Sequence, residues 1–237
     1  MNNILTYCLD TANIDAIKEA LNYYPIHAFS MNPSIATKDL KGRNQTFFES
    51  LKEIRDVIGE DTEFSVQTVG DTAEEIVKDA KAIRDHVKGT NLYVKVDAFQ
   101  EGYKAMKMLK QQGYNVTATA IASVNQALLS IEAGADTVAV YAGRVDNISG
   151  DGMEVVRQIG QIMRMKGINN VQLAAASIRT AHQVEQAALA GADIVAVSWD
   201  ILKACGNHPL TDNCIKQFVA DWENLYGAGM RVYNMEK

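Results

Sequence analysis

A short stretch of this sequence occurs twice, and both copies have the same pattern. Residues 133–140 read AGADTVAV, and residues 190–197 read AGADIVAV. Each copy is a glycine turn followed by a short apolar run, which is typical of a helix that ends and leads into a strand. Gly89, Gly113 and Gly167 occupy equivalent places between a helical pattern and an apolar run. The chain is therefore expected to alternate helices and strands.

Eight segments have the length and apolar character of buried strands. They lie at 4–9, 26–30, 63–67, 92–96, 115–119, 137–141, 171–176 and 193–198. Helices are expected between them; in the helix predicted at 71–88, Asp71 and Glu74 have capping-box spacing, as Ser123 and Gln126 do further on. Eight strand–helix units in 237 residues favour an α/β fold, a single (β/α)8 barrel.

The chain is expected to form one domain over residues 1–237, because no linker or low-complexity stretch divides it. A doubly wound sheet with a dinucleotide site is disfavoured, since no GxGxxG follows the first strand. The segment 209–237 is predicted to be a C-terminal helical extension. Its large apolar residues have near-helical spacing, so this helix packs either on its own barrel or on a neighbouring copy.

Composition excludes several classes of protein. The net charge of −6 argues against a nucleic-acid partner. No apolar stretch reaches the roughly 18 residues of a membrane span, and the N-terminus lacks the pattern of a signal peptide. We therefore expect a cytoplasmic protein without a membrane partner. The three cysteines form no CxxC pair and the four histidines no ligand pair, so no metal site and no cofactor are expected.

Lys95 lies in the predicted strand at 92–96. Lysine is seldom buried unless it is paired or functional. Burial favours the neutral amine, and a neutral amine attacks a ketone to form a Schiff base. The alternative is a lysine at a strand end whose ammonium group reaches solvent.

Polar residues collect at the ends of the predicted strands. They are Asp10, Ser30, Asn32, Gln67, Lys95, Thr119, Tyr141 and Ser177. Barrel active sites are built at this end from several strands, so a site around Lys95 is expected there. For Ser30 and Thr119, a capping or turn role is the alternative.

Several segments together resemble a known family. They are Leu9-Asp10-Thr11, Asn32-Pro33-Ser34-Ile35, Val94-Lys95-Val96, Thr119-Ala120 and Ala175-Ala176-Ser177. In this order they resemble the signatures of the small transaldolases and fructose-6-phosphate aldolases, and the likeness extends through Asp221-Trp222. The resemblance implies a (β/α)8 TIM barrel and class I, metal-free aldol chemistry on sugar phosphates.

The resemblance also implies roles for the catalytic candidates. Lys95 matches the Schiff-base lysine, and Asp10 matches the carboxylate that handles a substrate hydroxyl proton. Thr119 matches a hydroxyl near the catalytic water. Gln67 and Tyr141 match the fructose-6-phosphate aldolase branch, whereas transaldolases tend to have Glu and Phe at these positions.

The substrate-binding candidates follow from the same resemblance. Asn32, beside Ser30, matches an amide that binds the ketose. Arg144 and Ser177 match phosphate-binding positions, and Arg179 falls where a second cation lies. For Arg144, a surface ion pair with Asp146 is the alternative.

Two positions depart from the family pattern. This chain has Met31 where a second threonine is usual, and Asp97 where a proline usually follows Val-Lys-Val. Asp97 lies two residues after Lys95 on the same face of the strand. Both departures are compatible with a different sugar substrate or with a weakened enzyme.

The implied function is a class I aldolase that converts fructose 6-phosphate to dihydroxyacetone and glyceraldehyde 3-phosphate. The alternatives are a transaldolase, which passes the three-carbon unit to an aldose acceptor, and a non-catalytic barrel that binds phosphosugars. The implied partners are a small-molecule sugar phosphate and further copies of the chain, since the family forms homo-oligomers, pentamers or decamers.

Overall fold

Eight parallel strands close into one barrel in chain order in the computed structural model, which describes residues 4–235. The strands are β1 (Thr6–Asp10), β2 (Ala28–Met31), β3 (Glu63–Gln67), β4 (Leu92–Asp97), β5 (Asn115–Ile121), β6 (Thr137–Tyr141), β7 (Gln172–Ala176) and β8 (Ile194–Val197). Each lies within two residues of its predicted position. The prediction of a (β/α)8 TIM barrel is confirmed.

Helices connect the strands and surround the barrel. They are α1 (Ile14–Tyr23), α2 (Pro33–Leu40), α3 (Phe47–Ile58), α4 (Ala73–His86), α5 (Gln100–Gln111), α6 (Val124–Glu132), α7 (Ala142–Asp146), α8 (Gly152–Lys166), α9 (Ala181–Ala190) and α10 (Trp199–Gly206). Two connections hold an extra short helix, namely α2 before α3 and α7 before α8. Both extra helices begin directly after the C-terminal end of a strand, so they bring additional side chains to that end of the barrel.

The start of α4 differs by one residue from the prediction. Thr72, and not Asp71, is the N-cap, and its partner in the capping box is Glu75, not Glu74. In α6, Ser123 is the N-cap as predicted, but the side chain of Gln126 accepts from the backbone of Ala122. The prediction for α4 was one residue too early, because the sequence of residues 71–75, DTAEE, offers two pairs with capping-box spacing.

Alternation along β4 directs its apolar residues and its polar residues to opposite faces. Val94 and Val96 are fully buried, and Lys95 faces the barrel interior between its register partners Gln67 on β3 and Thr117 on β5. A polar contact of 3.4 Å between the hydroxyls of Ser65 and Thr117 spans the same interior. Hydroxyl groups therefore lie near Lys95 inside the barrel.

The end of β5 is irregular. Its register with β6 shifts between Ala118 and Ile121, and Ala120 has a φ of 56°, in the left-handed region. Such an irregularity bends a strand and changes the direction of the side chains near it. Thr119, directly before the distortion, pairs with Asp97 of β4, so the two polar residues lie side by side at the rim.

The chain divides into two compact units, the first ending at Leu202 and the second beginning at Lys203. The second unit contains α11 (Pro209–Tyr226) and a 3-10 turn, Val232–Asn234. No residue of α11 is buried, and Phe218 and Leu225 are 68% and 74% exposed. The predicted helix is confirmed, while the single-domain assignment stays a prediction. Within residues 4–235, no helix combines the length and apolar character needed to cross a membrane.

Candidate active site

One cavity of about 500 Å³ opens at the C-terminal ends of the strands. Seven of the ten site residues predicted from the sequence line it, namely Asp10, Asn32, Lys95, Tyr141, Arg144, Ser177 and Arg179. The other three, Ser30, Gln67 and Thr119, do not line this cavity. The residues on its walls come from at least five strand ends, as expected for a barrel active site.

Lys95 lies inside the barrel and is only 5% exposed. It lines the cavity, so its amine is accessible from there and not from the outer surface. The backbone at this point is anchored, because the carbonyl oxygen of Lys95 accepts hydrogen bonds from the backbone and the hydroxyl of Thr68. These hydrogen bonds fix the backbone from which the side chain of Lys95 extends, which suits a residue that reacts with a bound ketone.

Ser30 supports Asp10 from the neighbouring strand. Its hydroxyl donates a 2.7 Å hydrogen bond to Oδ1 of Asp10, and the two residues are register partners. Ser30 is buried and does not line the cavity, whereas Asp10 does. The hydrogen bond fixes one oxygen of Asp10 and leaves Oδ2 for other partners.

A polar contact between side chains also joins the ends of β3 and β4. Nε2 of Gln67 donates a 2.9 Å hydrogen bond to Oδ1 of Asp97. Burial raises the pKa of the Asp97 carboxyl, while the hydrogen bond from Gln67 and the positive charges of Lys95 and Arg144 act in the opposite direction. Burial outweighs these opposing contributions, so the net effect of the surroundings is a raised pKa for Asp97.

Two buried polar atoms beside Asp97 have no hydrogen-bond partner within the described part of the chain. They are Oε1 of Gln67 and Oγ1 of Thr119. Buried polar groups in proteins are almost always satisfied by protein or by ordered water. A water or a hydroxyl beside these two atoms would satisfy them. Gln67 also lines a second, mainly apolar cavity of about 370 Å³, which shares Asn32 with the first.

The cationic wall of the first cavity is formed by Arg144 and Arg179. The guanidinium of Arg144 lies 5.1 Å from the ring centre of Tyr141, a cation–π contact. The alternative of an ion pair with Asp146 is wrong, since the Asp146 carboxylate accepts from the backbone of Gly152 and from Nε2 of Gln183, both at 2.8 Å. Arg144 is exposed, so it is free to approach an anion in the cavity.

Ser177 has a strained backbone, with a φ of 61°. Gly143 of α7 packs directly against it, and a Cβ on Gly143 would lie 2.0 Å from the carbonyl oxygen of Ser177. Only glycine allows this approach. The contact fixes the start of α7, which carries Arg144, beside the end of β7, which carries Ser177, so the two predicted phosphate-binding residues are held together.

Some residues of the cavity were not predicted. Ser198 directly follows β8 and lines the cavity, and the rule that found polar residues at the other strand ends applies to it as well. Lys38 of α2 also lines the cavity. Its sequence context is that of a lysine on the solvent side of a helix, so no signal in the sequence distinguishes it.

Histidine, cysteine, aspartate and glutamate side chains within residues 4–235 form no group of three or more arranged to hold a metal ion. The catalytic groups that the cavity offers are therefore an amine, carboxylates, hydroxyls, amides and guanidinium groups.

Comparison with known proteins agrees with this geometry. The model of the family described as Transaldolase/Fructose-6-phosphate aldolase matches residues 7–235. A "Probable transaldolase" of Methanococcus maripaludis is 38% identical over 220 residues, covering 92% of this chain and 98% of the relative. A "Probable fructose-6-phosphate aldolase" of Streptococcus pneumoniae is 35% identical over 218 residues, covering 92% and 96%.

Among solved structures, the chain is similar to one described as "Native KDPGal structure". The TM-score is 0.54 at 14% sequence identity, with 83% of each chain covered. At this level of identity the likeness concerns the fold alone. The extent of the family match and the identity to its members decide the assignment, and the chain belongs to the transaldolase/fructose-6-phosphate aldolase family.

Proposed function

We propose that this protein is a class I aldolase that cleaves fructose 6-phosphate to dihydroxyacetone and glyceraldehyde 3-phosphate through a Schiff base on Lys95. The observation that carries the proposal is the buried amine of Lys95, which opens only into a cavity that also holds the carboxylate of Asp10. An amine is a nucleophile for ketones in its neutral form. The same reaction runs in the direction of carbon–carbon bond formation.

The steps follow from the chemistry of the groups. Nζ of Lys95 attacks the C2 ketone, and loss of water gives a protonated imine. Asp10 takes the proton of the C4 hydroxyl, the C3–C4 bond breaks, and its electron pair moves into the imine to form an enamine while the aldehyde leaves. A water then gives a proton to C3 of the enamine and takes up the proton held by Asp10, and hydrolysis of the imine releases dihydroxyacetone and restores Lys95.

The water in the last steps needs polar neighbours. We assign it to Gln67, Thr119 and Tyr141, since the first two residues carry buried oxygens without a partner among residues 4–235. We assign a hydroxyl of the ketose to Asn32, which lines the cavity and whose Oδ1 caps α2 by accepting from the backbone of Ile35, and Ser30 acts through Asp10.

The phosphate end of the substrate is assigned to Arg144, Ser177 and Arg179, which line the cavity. A guanidinium binds phosphate through two parallel hydrogen bonds, which fixes orientation as well as charge. Lys38 adds a further positive group to this cavity. Binding energy from this end positions the C2 ketone near Lys95.

A transaldolase is the second candidate, because most of the similar curated proteins, including the one from Methanococcus maripaludis, are named "Probable transaldolase". Gln67 and Tyr141 favour the aldolase branch. The two activities share every step up to the enamine. They differ in whether the enamine is protonated or attacks an aldose acceptor.

The deciding experiment incubates the protein with fructose 6-phosphate in the absence of any added aldose and measures both products. An aldolase releases dihydroxyacetone and glyceraldehyde 3-phosphate in equal amounts at a steady rate. A transaldolase releases at most one equivalent of aldehyde per active site until an acceptor is added. Acceptor-dependent turnover would contradict the aldolase proposal, and the absence of any reaction under both conditions would favour a phosphosugar-binding barrel.

A further inference from the structure

Asp97 stands at the C-terminal end of β4, two residues after Lys95. The family pattern that this chain resembles has a proline at this position. Proline offers neither a charge nor a side-chain hydrogen bond, so Asp97 adds an interaction that the usual residue cannot make. Its side chain is bound by only one residue in the described chain, Gln67 of the neighbouring strand, at 2.9 Å.

The contact determines which way the Gln67 amide is turned. An ionised carboxylate has only acceptor atoms, whereas an amide has a donor end and an acceptor end. Asp97 therefore binds Nε2 of Gln67, and Oε1 points elsewhere. That oxygen is buried and lacks a partner in residues 4–235, as does Oγ1 of Thr119, the register partner of Asp97.

We propose that Asp97 is a positioning residue that fixes the Gln67 amide, so that position 67 presents a hydrogen-bond acceptor to the catalytic water. This inference rests on the proposed function, since it concerns the water that exchanges a proton with the enamine. A water that donates one O–H to Oε1 of Gln67 keeps its other O–H for the enamine carbon. If the amide were turned the other way, its NH2 group would donate a hydrogen bond to the oxygen of the water. Position 67 would then accept neither O–H of the water, and no O–H would be directed to the enamine carbon.

The same contact explains why position 67 must be an amide in this chain. A glutamate there, as transaldolases tend to have, would place two carboxylates within hydrogen-bonding distance. At neutral pH the two negative charges would repel each other, and one of the two carboxyls would bind a proton more readily than usual as the pH falls. The other groups that face Asp97 are the positive Lys95 and Arg144 and the neutral Thr119. Asp97 and Gln67 therefore act as a matched pair.

The test uses three variants, Gln67→Glu, Asp97→Asn and the swapped pair Gln67→Glu/Asp97→Asn. In the swap, the asparagine donates to the new glutamate, whose second oxygen still offers an acceptor to the water. We expect Gln67→Glu to lower kcat for fructose 6-phosphate about tenfold or more at neutral pH, with a small change in KM. The swap should restore most of the lost kcat.

The pH dependence separates this role from a merely structural one. In Gln67→Glu, the two carboxyls hold a shared proton at low pH, and the protonated one donates to the other as the amide did. The activity of this variant relative to wild type should therefore rise as the pH falls, and the swap should remove this dependence. Wild-type behaviour of Gln67→Glu at every pH, or a swap no more active than Gln67→Glu, would overturn the role of Asp97.

A matched control exists outside the site. Nε2 of Gln45 donates to Oε2 of Glu53 at 2.8 Å, and neither residue lines either cavity. Gln45→Glu creates the same carboxyl pair and should leave kcat and its pH dependence unchanged. Borohydride labelling of Lys95 in the wild-type protein is measured in parallel. Absence of labelling there would refute the proposed function itself, whereas normal labelling with failure of the swap would refute only the inference about Asp97.

Discussion

The hydroxyl of Ser30 donates a 2.7 Å hydrogen bond to Oδ1 of Asp10, between the adjacent ends of β2 and β1. The donor is buried and the carboxylate faces the cavity. One oxygen of Asp10 is therefore fixed in direction, and the other is available to take a proton from a substrate hydroxyl. In the proposed function, Ser30 therefore acts on the substrate through Asp10.

Replacing Ser30 by alanine should reduce kcat for fructose 6-phosphate with little change in KM. The lost contact is a hydrogen bond to a charged group, worth about 1.5–3 kcal/mol, so a fall of about ten- to a hundredfold is expected. Ser30→Thr keeps the hydroxyl and should retain most of the activity. Steady-state kinetics of the three proteins provide the comparison, and full activity of Ser30→Ala would show that Asp10 needs no support.

Arg144→Ala should raise KM for fructose 6-phosphate far more than KM for fructose. Loss of a charge-assisted contact to phosphate is expected to cost about 1.5–3 kcal/mol, or about ten- to a hundredfold. Ser177→Ala should act in the same direction. Arg157→Ala is the control, since Arg157 is paired with Glu154 on α8 and lies outside the cavity. Equal effects of Arg144→Ala on both sugars would remove the phosphate role.

Glu63, at the start of β3, should make the stability of the protein depend on pH. Burial raises the pKa of its carboxyl above the ordinary value of 4.5. A raised pKa means that the folded state holds the proton more tightly, so wild-type stability falls as the pH rises from about 4.5 through the raised pKa. Glu63→Gln removes this loss. The free energy of unfolding in urea should rise for the variant relative to wild type between acidic and neutral pH.

Glu75 provides the opposite case for the same measurement. Hydrogen bonds from the backbone and side chain of Thr72 lower the pKa of its carboxyl. The ionised form therefore stabilises the fold above pH 4.5, and this contribution is lost as the pH falls through the lowered pKa. The free energy of unfolding of Glu75→Gln should fall relative to that of wild type as the pH rises. The free energy of unfolding relative to wild type should thus change with pH in opposite directions for the Glu63 and Glu75 variants. The same direction for both would contradict the assigned pKa shifts.

We propose that the protein is a homo-oligomer, a pentamer or decamer, as the family resemblance implies. The helix α11 has no buried residue and exposes Phe218 and Leu225 by 68% and 74%. Large apolar side chains exposed on one element often mark an interaction surface. Light scattering at micromolar concentration should give the mass of a pentamer or larger, and Phe218→Glu/Leu225→Glu should lower it. A monomeric wild-type protein would contradict this proposal.

The sequence was sufficient to predict the barrel because each βα unit carries its own local signal. A glycine turn followed by an apolar run marks the start of a strand, and this pattern located β4 to β8, while the length and apolar character of the segments located β1 to β3. Parity within β4 also placed Lys95 and Asp97 on one face of the strand, and in the structure Lys95 is buried inside the barrel. Local signals of this kind depend on spacing along one segment, so they can be read without knowledge of the fold.

Contacts between side chains of different strands could not be predicted from the sequence. The hydrogen bond between Gln67 and Asp97 joins residues 30 positions apart, and it depends on the register of β3 against β4. The close approach of Gly143 to Ser177 likewise depends on where α7 meets β7. The alternative for Arg144, an ion pair with Asp146, is wrong for a related reason, since Gln183 of α9 donates to the carboxylate of Asp146.

The central claim is that Lys95 forms a covalent imine with the ketose. Borohydride reduction in the presence of fructose 6-phosphate or dihydroxyacetone, followed by peptide mass spectrometry, measures this directly. The reduced adduct should appear on the peptide that carries Lys95, and Lys95→Met should lose both the adduct and turnover. Lys38→Met is the matched control, because Lys38 lines the same cavity and the adduct should persist without it. An adduct on another lysine, or turnover by Lys95→Met, would contradict the account.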